Sequence, residues 1–237
     1  MSVIWHDLEC GAYTEDVALW RTLAEQRGDP ILEVGAGTGR IALDLARRGH
    51  RVTALDRDRA LLAELARRAD GLELTTALAD ARDFELGLRF ALSIVPMQTI
   101  QLLGGPTGRR AFLDCARRHL APGGLLAVAI SEPLETYEVD DGTIAPLPDI
   151  RELDGVVYSS QPTAVRVDGD KFVLERRRET ITSDGVRSVA KDVIRLDRLT
   201  AGELEREAKD AGLGPLGRVD VPATRDYSGS TVVMLGG

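Results

Sequence analysis

Short apolar runs alternate with segments of helical period over the first 130 residues. An apolar run bounded by turn residues is typical of a buried strand, and apolar residues at every third or fourth position indicate a helix lying against a sheet. This alternation predicts an α/β fold. The predicted strands are Ile31–Val34, Arg51–Leu55, Leu72–Ala79, Phe90–Val95 and Leu125–Ile130, and the predicted helices begin at Thr14, Ile41, Asp58 and Thr107. Residues 1–13 are expected to form an irregular lead.

The pattern changes after Glu132. Residues 135–149 read as a loop, and four strand-like runs follow, separated by Asp-Gly turns that are typical of hairpins. These runs predict an inserted antiparallel β meander, which could be an acceptor-specificity module, a dimer surface or both; they are Val156–Gln161, Ala164–Val167, Phe172–Arg178 and Val186–Leu196. A capping box at Thr200–Glu203 then opens a last helix, and two further strands are predicted at Leu216–Val221 and Ser230–Leu235.

A glycine-rich stretch, Gly35 to Gly39, joins the first predicted strand to the next helix. Glycines there allow unusual backbone angles and a close approach of a ligand, which open α/β sheets bind at the carboxyl ends of their strands. The spacing is G-x-G-x-G. It lacks the third glycine of a dinucleotide fingerprint, because position 40 is arginine, and it lacks the Gly-Lys-Ser/Thr of a P-loop.

Two acids next to this stretch indicate which ligand it binds. Asp56 ends the second predicted strand, where a carboxylate can accept hydrogen bonds from both hydroxyls of a ribose. Glu33, two residues before Gly35, suits a ligand with positive charge and would repel a pyrophosphate. A ribose together with a cation favours S-adenosylmethionine over NAD.

Five motifs in order resemble those of the class I S-adenosylmethionine-dependent methyltransferases. They are Glu33–Gly39, Asp56, Ala79-Asp80-Ala81, Phe90–Gln98 and Leu120–Leu125. The resemblance covers about Tyr13 to Ile130 well and the final segment moderately. It implies a Rossmann-like seven-stranded, mostly parallel sheet with helices on both faces, whose last strand is antiparallel. It also implies S-adenosylmethionine as methyl donor and S-adenosylhomocysteine as product.

The same resemblance divides the chain and assigns cofactor contacts. It implies a lid and covering helix (residues 1–30), a cofactor-binding core (31–132), the inserted β subdomain (133–198) and a C-terminal helix with the last two core strands (199–237). Tyr13 is expected near the sulfonium, and Asp80 and Ala81 at the adenine, on which Arg57 would stack. The expected cofactor contacts are Tyr13, Glu33, Gly35, Ala36, Gly37, Arg40, Asp56, Arg57, Asp80, Ala81 and Val95.

The loop after the fourth predicted strand is expected to line the acceptor pocket. It departs from the Asn/Asp-Pro-Pro-Tyr motif that holds an amide or adenine nitrogen in several protein and DNA methyltransferases. The acceptor-pocket candidates are Met97, Gln98, Gln101 and Tyr227, although Gln98 could instead cap a helix and Tyr227 could be a rim aromatic. The candidate general bases are His6, Tyr13 and Glu132, among which the sequence does not choose.

Three hypotheses about function follow. The first is a methyltransferase that modifies an N, O or S atom of a small molecule, which predicts a closed cavity beside Gln98 and Glu132. The second is a protein or RNA methyltransferase, which predicts an open groove there. The third is a non-catalytic cofactor-binding partner. Intact cofactor motifs disfavour the third, and the absent macromolecule motif favours the first.

Composition narrows the picture further. A net charge of −8 argues against a dedicated nucleic-acid surface, which normally needs a clustered basic face. Two cysteines, Cys10 and Cys115, indicate neither a disulfide framework nor a zinc cluster, and no histidine pair has metal-ligand spacing. No targeting or membrane segment is recognisable. We therefore expect a cytoplasmic protein with a small-molecule acceptor, no metal, no nucleic-acid or membrane partner, and a homodimer as one use of the meander.

Overall fold

The computed structural model describes residues 3–132, 134–139, 146–224 and 227–237. Their contacts divide the chain into two compact units. One unit comprises Met1–Val3, Tyr13–Pro133 and Leu199–Gly237, and the other comprises Ile4–Ala12 and Leu134–Arg198. The sequence prediction kept residues 1–30 together, whereas the contacts place Ile4–Ala12 with the second unit.

Helices and strands are numbered in chain order. The helices are α1 (Val3–Cys10), α2 (Val17–Arg27), α3 (Ala42–Arg47), α4 (Arg59–Arg68), α5 (Gly105–His119) and α6 (Ala201–Asp210), with a 3₁₀ turn at Thr99–Leu102. The strands are β1 (Ile31–Val34), β2 (Val52–Asp56), β3 (Leu74–Leu78), β4 (Phe90–Val95), β5 (Leu120–Ile130), β6 (Tyr137–Glu138), β7 (Asp149–Leu153), β8 (Val156–Asp168), β9 (Lys171–Ile181), β10 (Arg187–Asp197), β11 (Gly214–Val221) and β12 (Ser230–Gly236).

The first unit is built on a seven-stranded sheet with the order β11-β12-β5-β4-β1-β2-β3. Strands β1 to β5 pair in parallel, and β12 is antiparallel to both of its neighbours. The predicted Rossmann-like sheet is therefore confirmed. All four residues of β1 are buried because β4 and β2 flank it and helices cover both faces. The carboxyl ends of β1, β2 and β4 consequently open on the same edge.

Two apolar clusters hold the helices on the two faces of this sheet. Trp20, Leu45 and Leu65 place α2, α3 and α4 on one face. Phe112 and Leu204 place α5 and α6 on the other. Trp20 is completely buried, so it is a core contact of the covering helix α2. The capping box at Thr200 and Glu203 is also confirmed at the start of α6.

The second unit is a five-stranded antiparallel sheet with α1 packed on it. The order is β10-β9-β8-β6, and β7 pairs with β8. The expected irregular lead is wrong, because Val3–Cys10 is helical. Its Trp5 packs edge-on against Tyr158 at 5.5 Å between ring centroids, and its Glu9 receives two hydrogen bonds from Arg178. The loop expected at residues 135–149 contributes β6, and β7 begins at its last residue.

None of the described helices is long and apolar enough to cross a bilayer.

Candidate active site

The glycine turn, Gly35 to Gly39, lies at the carboxyl end of β1 and is fastened to β2. The backbone N–H groups of Gly35 and Ala36 both donate to the carbonyl of Leu55, at 2.8 and 3.0 Å. Gly35, Gly37 and Gly39 have φ values of 75°, 56° and 93°, the left-handed region that glycine tolerates best. A Cβ on Gly35 would stand 2.5 Å from the side chain of Thr99, so the missing side chain lets the loop after β4 pack against the turn.

Asp56 is held in a fixed orientation at the end of β2. One of its carboxylate oxygens accepts the N–H of Gly37 at 2.8 Å, and the other accepts the N–H of Asp58 at 2.9 Å. The side chain is half-buried, and each oxygen keeps a second lone pair for a further donor. The structure thus brings Asp56 and Gly37 together as the sequence predicts.

Glu33 is a buried carboxylate beneath the glycine turn. It is 2% exposed, and among the described residues no group donates to its Oε2 atom. Burial raises the pKa of Glu33 to about 8, although Arg40 and a hydrogen bond from the Ala42 N–H act in the opposite direction. A buried, partly unsatisfied acid is costly in a folded protein, and it is expected where a ligand completes the site.

Arg40 donates its hydrogen bonds to the segment that precedes α2. Its guanidinium donates to both oxygens of Asp16, at 2.6 and 2.8 Å, and to the carbonyl of Tyr13 at 2.9 Å. Asp16 also accepts the indole N–H of Trp20; it occupies the N-cap position of α2 without a side-chain cap bond, so the predicted helix start at Thr14 is wrong. These donors tie Tyr13 and Asp16 to the residue that follows the glycine turn, and the expected cofactor contact of Arg40 stays a prediction.

Tyr13 and Tyr227 meet although 213 residues separate them in the sequence. Their ring centroids lie 5.0 Å apart, and Tyr13 is 7% exposed. The guanidinium of Arg40 lies 5.1 Å from the centre of the Tyr13 ring. Burial, with a smaller contribution from Asp16, raises the pKa of the Tyr13 phenol. Tyr13 is consequently a neutral aromatic wall at neutral pH, which argues against its expected use as a general base.

Asp80, the expected adenine contact, already has a strong partner. Arg82 donates to both carboxylate oxygens of Asp80, at 2.9 and 2.6 Å, and its backbone N–H donates at 2.9 Å. These bonds lower the pKa of Asp80 to about 2. Arg57 is exposed, and its charge acts on Asp80 in the same direction. Sequence reasoning missed Arg82, although an arginine two residues after an acid in a turn is within reach of it.

The loop after β4 is tied to the end of β5 through Ser131. The amide of Gln101 accepts from the Ser131 N–H at 2.9 Å and donates to its carbonyl at 3.2 Å, and Gln101 is completely buried. Gln98 donates to the Ser131 hydroxyl at 2.8 Å and makes no side-chain cap bond. Gln101 as an acceptor-pocket residue is thus corrected: it braces the loop. Gln98 is half-buried at the loop surface.

Two neighbours of these glutamines differ in accessibility. Val95 is completely buried in the core, so its expected contact with the cofactor is corrected. Met97 is partly exposed and has a φ of 56°, a left-handed conformation that is uncommon for a residue with a side chain. Such a conformation at a strand end is often associated with a functional loop.

The comparisons with known proteins agree with this geometry. Residues 31–124 match the family model described as "Methyltransferase domain", from the start of β1 into β5, so that the match includes the glycine turn, Asp56 and Asp80. Residues 31–124 thus match a methyltransferase domain, over less than half of the chain.

Solved structures of other methyltransferases share the fold over nearly the whole chain. A sugar N-methyltransferase from Streptoalloteichus superposes with a TM-score of 0.75 at 18% identity, covering 98% of this chain and 90% of that one. An amino pentose methyltransferase from Micromonospora echinaspora superposes with a TM-score of 0.71 at 23% identity, covering 98% and 96%.

Curated relatives match shorter stretches. The cypemycin N-terminal methyltransferase of a Streptomyces species is 30% identical over 108 residues, which is 46% of this chain and 44% of that protein. A ribosomal RNA small subunit methyltransferase A from Anaeromyxobacter dehalogenans is 43% identical over 70 residues, which is 30% of this chain and 24% of that protein. The alignments therefore cover less than half of each of these relatives.

The remaining candidate bases lie in different surroundings. Glu132 follows β5 and accepts the N–H of Ala201 at 3.4 Å, so its carboxylate faces the N-terminus of α6, which favours an anion. His6 lies on α1 in the second unit. A catalytic role for either stays a prediction, as does the closed cavity beside Gln98 and Glu132. Among the described residues, no group of three or more His, Cys, Asp or Glu side chains could hold a metal ion.

Replacing Arg82 with glutamine is expected to strengthen the binding of S-adenosylmethionine by about two- to fivefold at low salt. The substitution removes the guanidinium that competes for the Asp80 carboxylate. Calorimetric titration at low and high salt measures the effect, and the gain should shrink as salt screens the ion pair. Arg89→Gln is the matched control, because Arg89 is exposed and its removal changes the net charge equally. Equal gains in both variants would contradict the assignment to Asp80.

Proposed function

We propose that the protein binds S-adenosylmethionine at the carboxyl edge of β1, β2 and β3 and transfers its methyl group to a small-molecule acceptor. The observation that carries the proposal is the pair of acids at the glycine turn. Glu33 is buried with an unpartnered oxygen, and Asp56 is oriented by two backbone N–H groups. An acid that lacks a counter-charge beside an acid with free acceptor lone pairs suits a ligand that is a cation at one end and a ribose at the other.

The residues at this edge fit such a cofactor in three parts. Glu33 would face the cationic methionine part, and Asp56 would accept hydrogen bonds from the ribose hydroxyls. Asp80 and the backbone N–H of Ala81 would hydrogen-bond to the adenine. When bound, S-adenosylmethionine supplies a methyl group already activated by its sulfonium. The chain then has to bind, orient and exclude water, which is a positioning effect worth up to about 7–11 kcal/mol in favourable models.

Three described features would serve that positioning. The Tyr13 and Tyr227 rings form an apolar wall close to the glycine turn. The Arg40 guanidinium, 5.1 Å from the centre of the Tyr13 ring, holds this wall in place. The Gln98 amide donates to Ser131, which leaves its carbonyl oxygen as an acceptor for a donor on the substrate. Exclusion of water by such a wall strengthens the electrostatic interactions within the site.

An amine nitrogen is the acceptor atom that we favour. The fold neighbours include proteins described as a sugar N-methyltransferase and an amino pentose methyltransferase, and a curated relative is described as an N-terminal methyltransferase. A protonated amine must lose a proton before it attacks, and either His6 or Glu132 would accept it better than Tyr13. Neither cysteine forms a disulfide among the described residues, which fits the cytoplasmic setting that we propose for this reaction.

Product analysis tests the proposal. The protein is incubated with methyl-deuterated S-adenosylmethionine and, separately, with amine-bearing small molecules that include amino sugars, peptides with free N-termini, and ribosomal RNA. We expect a mass increase of one labelled methyl group on a small-molecule amine. Label only on peptide or RNA would replace the small-molecule function with the macromolecular alternative. No calorimetric binding of S-adenosylmethionine, together with binding of NAD, would overturn the cofactor assignment.

A further inference from the structure

Glu33 is an acid that forms no ion pair among the described residues. The residue is 2% exposed, and it lies two positions before a turn whose backbone is hydrogen-bonded to β2. Among the described residues, nothing donates to Oε2. The remaining polar contact is a backbone N–H from Ala42, at the start of α3. A carboxylate can accept about four hydrogen bonds, so this one is far from satisfied.

The charged groups that face Glu33 do not neutralise it. They are Arg40 and Asp16, which form one ion pair, and Asp56 at the end of β2. The Arg40 guanidinium is bound to both oxygens of Asp16 at 2.6 and 2.8 Å, so its positive charge is largely compensated by the Asp16 carboxylate. Asp56 adds a second negative charge on the other side. Two acids and one compensated pair leave a deficit of positive charge at the turn.

We propose that Glu33 holds a proton in the free protein and releases it to solvent when the cationic methionine end of the cofactor binds. The step is an acid dissociation: the carboxyl O–H bond breaks, the electron pair stays on the carboxylate, and the proton passes to buffer. The incoming cation takes the place of the proton as counter-charge. The inference rests on the proposed cofactor, and it adds that cofactor affinity depends on pH through this one residue.

The pKa of Glu33 fixes the pH range. With a pKa of about 8 in the free protein, Glu33 is about nine-tenths protonated at pH 7. If the bound cation lowers that pKa well below 7, each binding event releases about 0.9 proton at pH 7. The affinity for S-adenosylmethionine then weakens about tenfold per pH unit on going below pH 7, until the pKa of the bound form is reached.

Calorimetry in buffers of different ionisation enthalpy measures the proton count directly. Wild-type protein is titrated with S-adenosylmethionine at pH 7, and the observed heat is plotted against the buffer's ionisation enthalpy. We expect a slope of about 0.9 proton released. Adenosine, which has neither the sulfonium nor the ammonium group, is the negative control. Of these two cationic groups, S-adenosylhomocysteine retains only the ammonium. Proton release on its binding would therefore identify the ammonium as the cation that replaces the proton, and no proton release would identify the sulfonium.

Glu33→Gln is the matched variant, because glutamine has the shape of the protonated acid and cannot ionise. Its proton release should be near zero, and its affinity should no longer change with pH. Its melting temperature should exceed that of the wild type at pH 8–9, because the wild type loses stability as pH rises from the ordinary glutamate pKa of 4.5 to the folded pKa of about 8, above which the loss is complete. This second measurement also shows that the variant folds.

The outcomes separate the inference from the function on which it rests. Binding without proton release, equal release in Glu33→Gln, or equal release with adenosine would overturn the inference and leave the cofactor assignment standing. Failure of wild-type protein to bind S-adenosylmethionine and its demethylated product would overturn both.

Discussion

Replacing Arg40 with alanine should destabilise the first unit by about 3–5 kcal/mol, the usual cost of removing one partner of a buried ion pair. Both side chains are little exposed, at 11% for Arg40 and 2% for Asp16. The substitution leaves the Asp16 carboxylate with the indole of Trp20 as a donor and no charged partner. It also removes the donor to the Tyr13 carbonyl and the cation beside the Tyr13 ring. Denaturant unfolding measures the loss.

The same substitution should weaken binding of S-adenosylmethionine, because Tyr13 and its partner Tyr227 lose the contact that fixes them near the glycine turn. Arg67→Ala is the matched control. Arg67 also makes a bidentate pair, with Glu64 on the surface of α4, and its side chain is 72% exposed. Surface pairs of this kind contribute little, so that variant should unfold and bind like the wild type.

A double variant distinguishes the loss of the Arg40–Asp16 ion pair from the cost of leaving the Asp16 carboxylate buried and charged without Arg40. Arg40→Ala together with Asp16→Ala removes both charges, so its stability loss should be well below the sum of the two single losses. Additive losses would show that the two side chains act independently, and would contradict the bracing role assigned to Arg40.

The sheet could be predicted from the sequence because its information is local. Ile31–Val34 and Phe90–Val95 are apolar runs of strand length bounded by turn residues, and both are strands with the predicted bounds. The capping box at Thr200 likewise needs only residues within one helical turn. The positions of the glycine turn and Asp56 could also be predicted from local sequence, since a strand end and a glycine spacing together specify where a ligand approaches.

The first helix could not be predicted because its partners are distant. The stabilising contacts of Val3–Cys10 are with Tyr158 and Arg178, more than 150 positions away. Short helices depend on tertiary packing rather than on propensity. A local pattern therefore gave an irregular lead where the folded chain has a helix.

The roles of individual side chains at the site were predicted less well than their positions. Arg40 follows the glycines and Gln101 follows β4, so both lie near the expected site. Arg40 nevertheless donates to Asp16, and the side-chain amide of Gln101 hydrogen-bonds to Ser131. Which partner a flexible polar side chain selects depends on residues that only the fold brings near, and Ser131 gave no motif by which to find it.

Replacing Gly35 with alanine is expected to abolish measurable binding of S-adenosylmethionine and to lower the stability of the first unit. The residue has a φ of 75°, which costs about 1–2 kcal/mol for a residue with a Cβ. The new Cβ would also stand 2.5 Å from Cγ2 and 3.1 Å from Cβ of Thr99. Thr99 is β-branched and bonds to the Pro96 carbonyl, so it cannot rotate away without moving the loop after β4.

Gly49→Ala separates the cost of backbone strain from the cost of the steric collision. Gly49 has a φ of 92°, but nothing lies within 4 Å of the position of its Cβ, so its variant suffers the backbone strain without the collision. We expect Gly49→Ala to lose only about 1–2 kcal/mol and to bind the cofactor normally. Thr99→Ala in the Gly35→Ala background should restore part of the lost stability, since it removes the two atoms nearest the new Cβ. Equal behaviour of the two glycine variants, without rescue, would show that the turn and the loop after β4 are not packed together, and would remove the link between the cofactor edge and the acceptor loop.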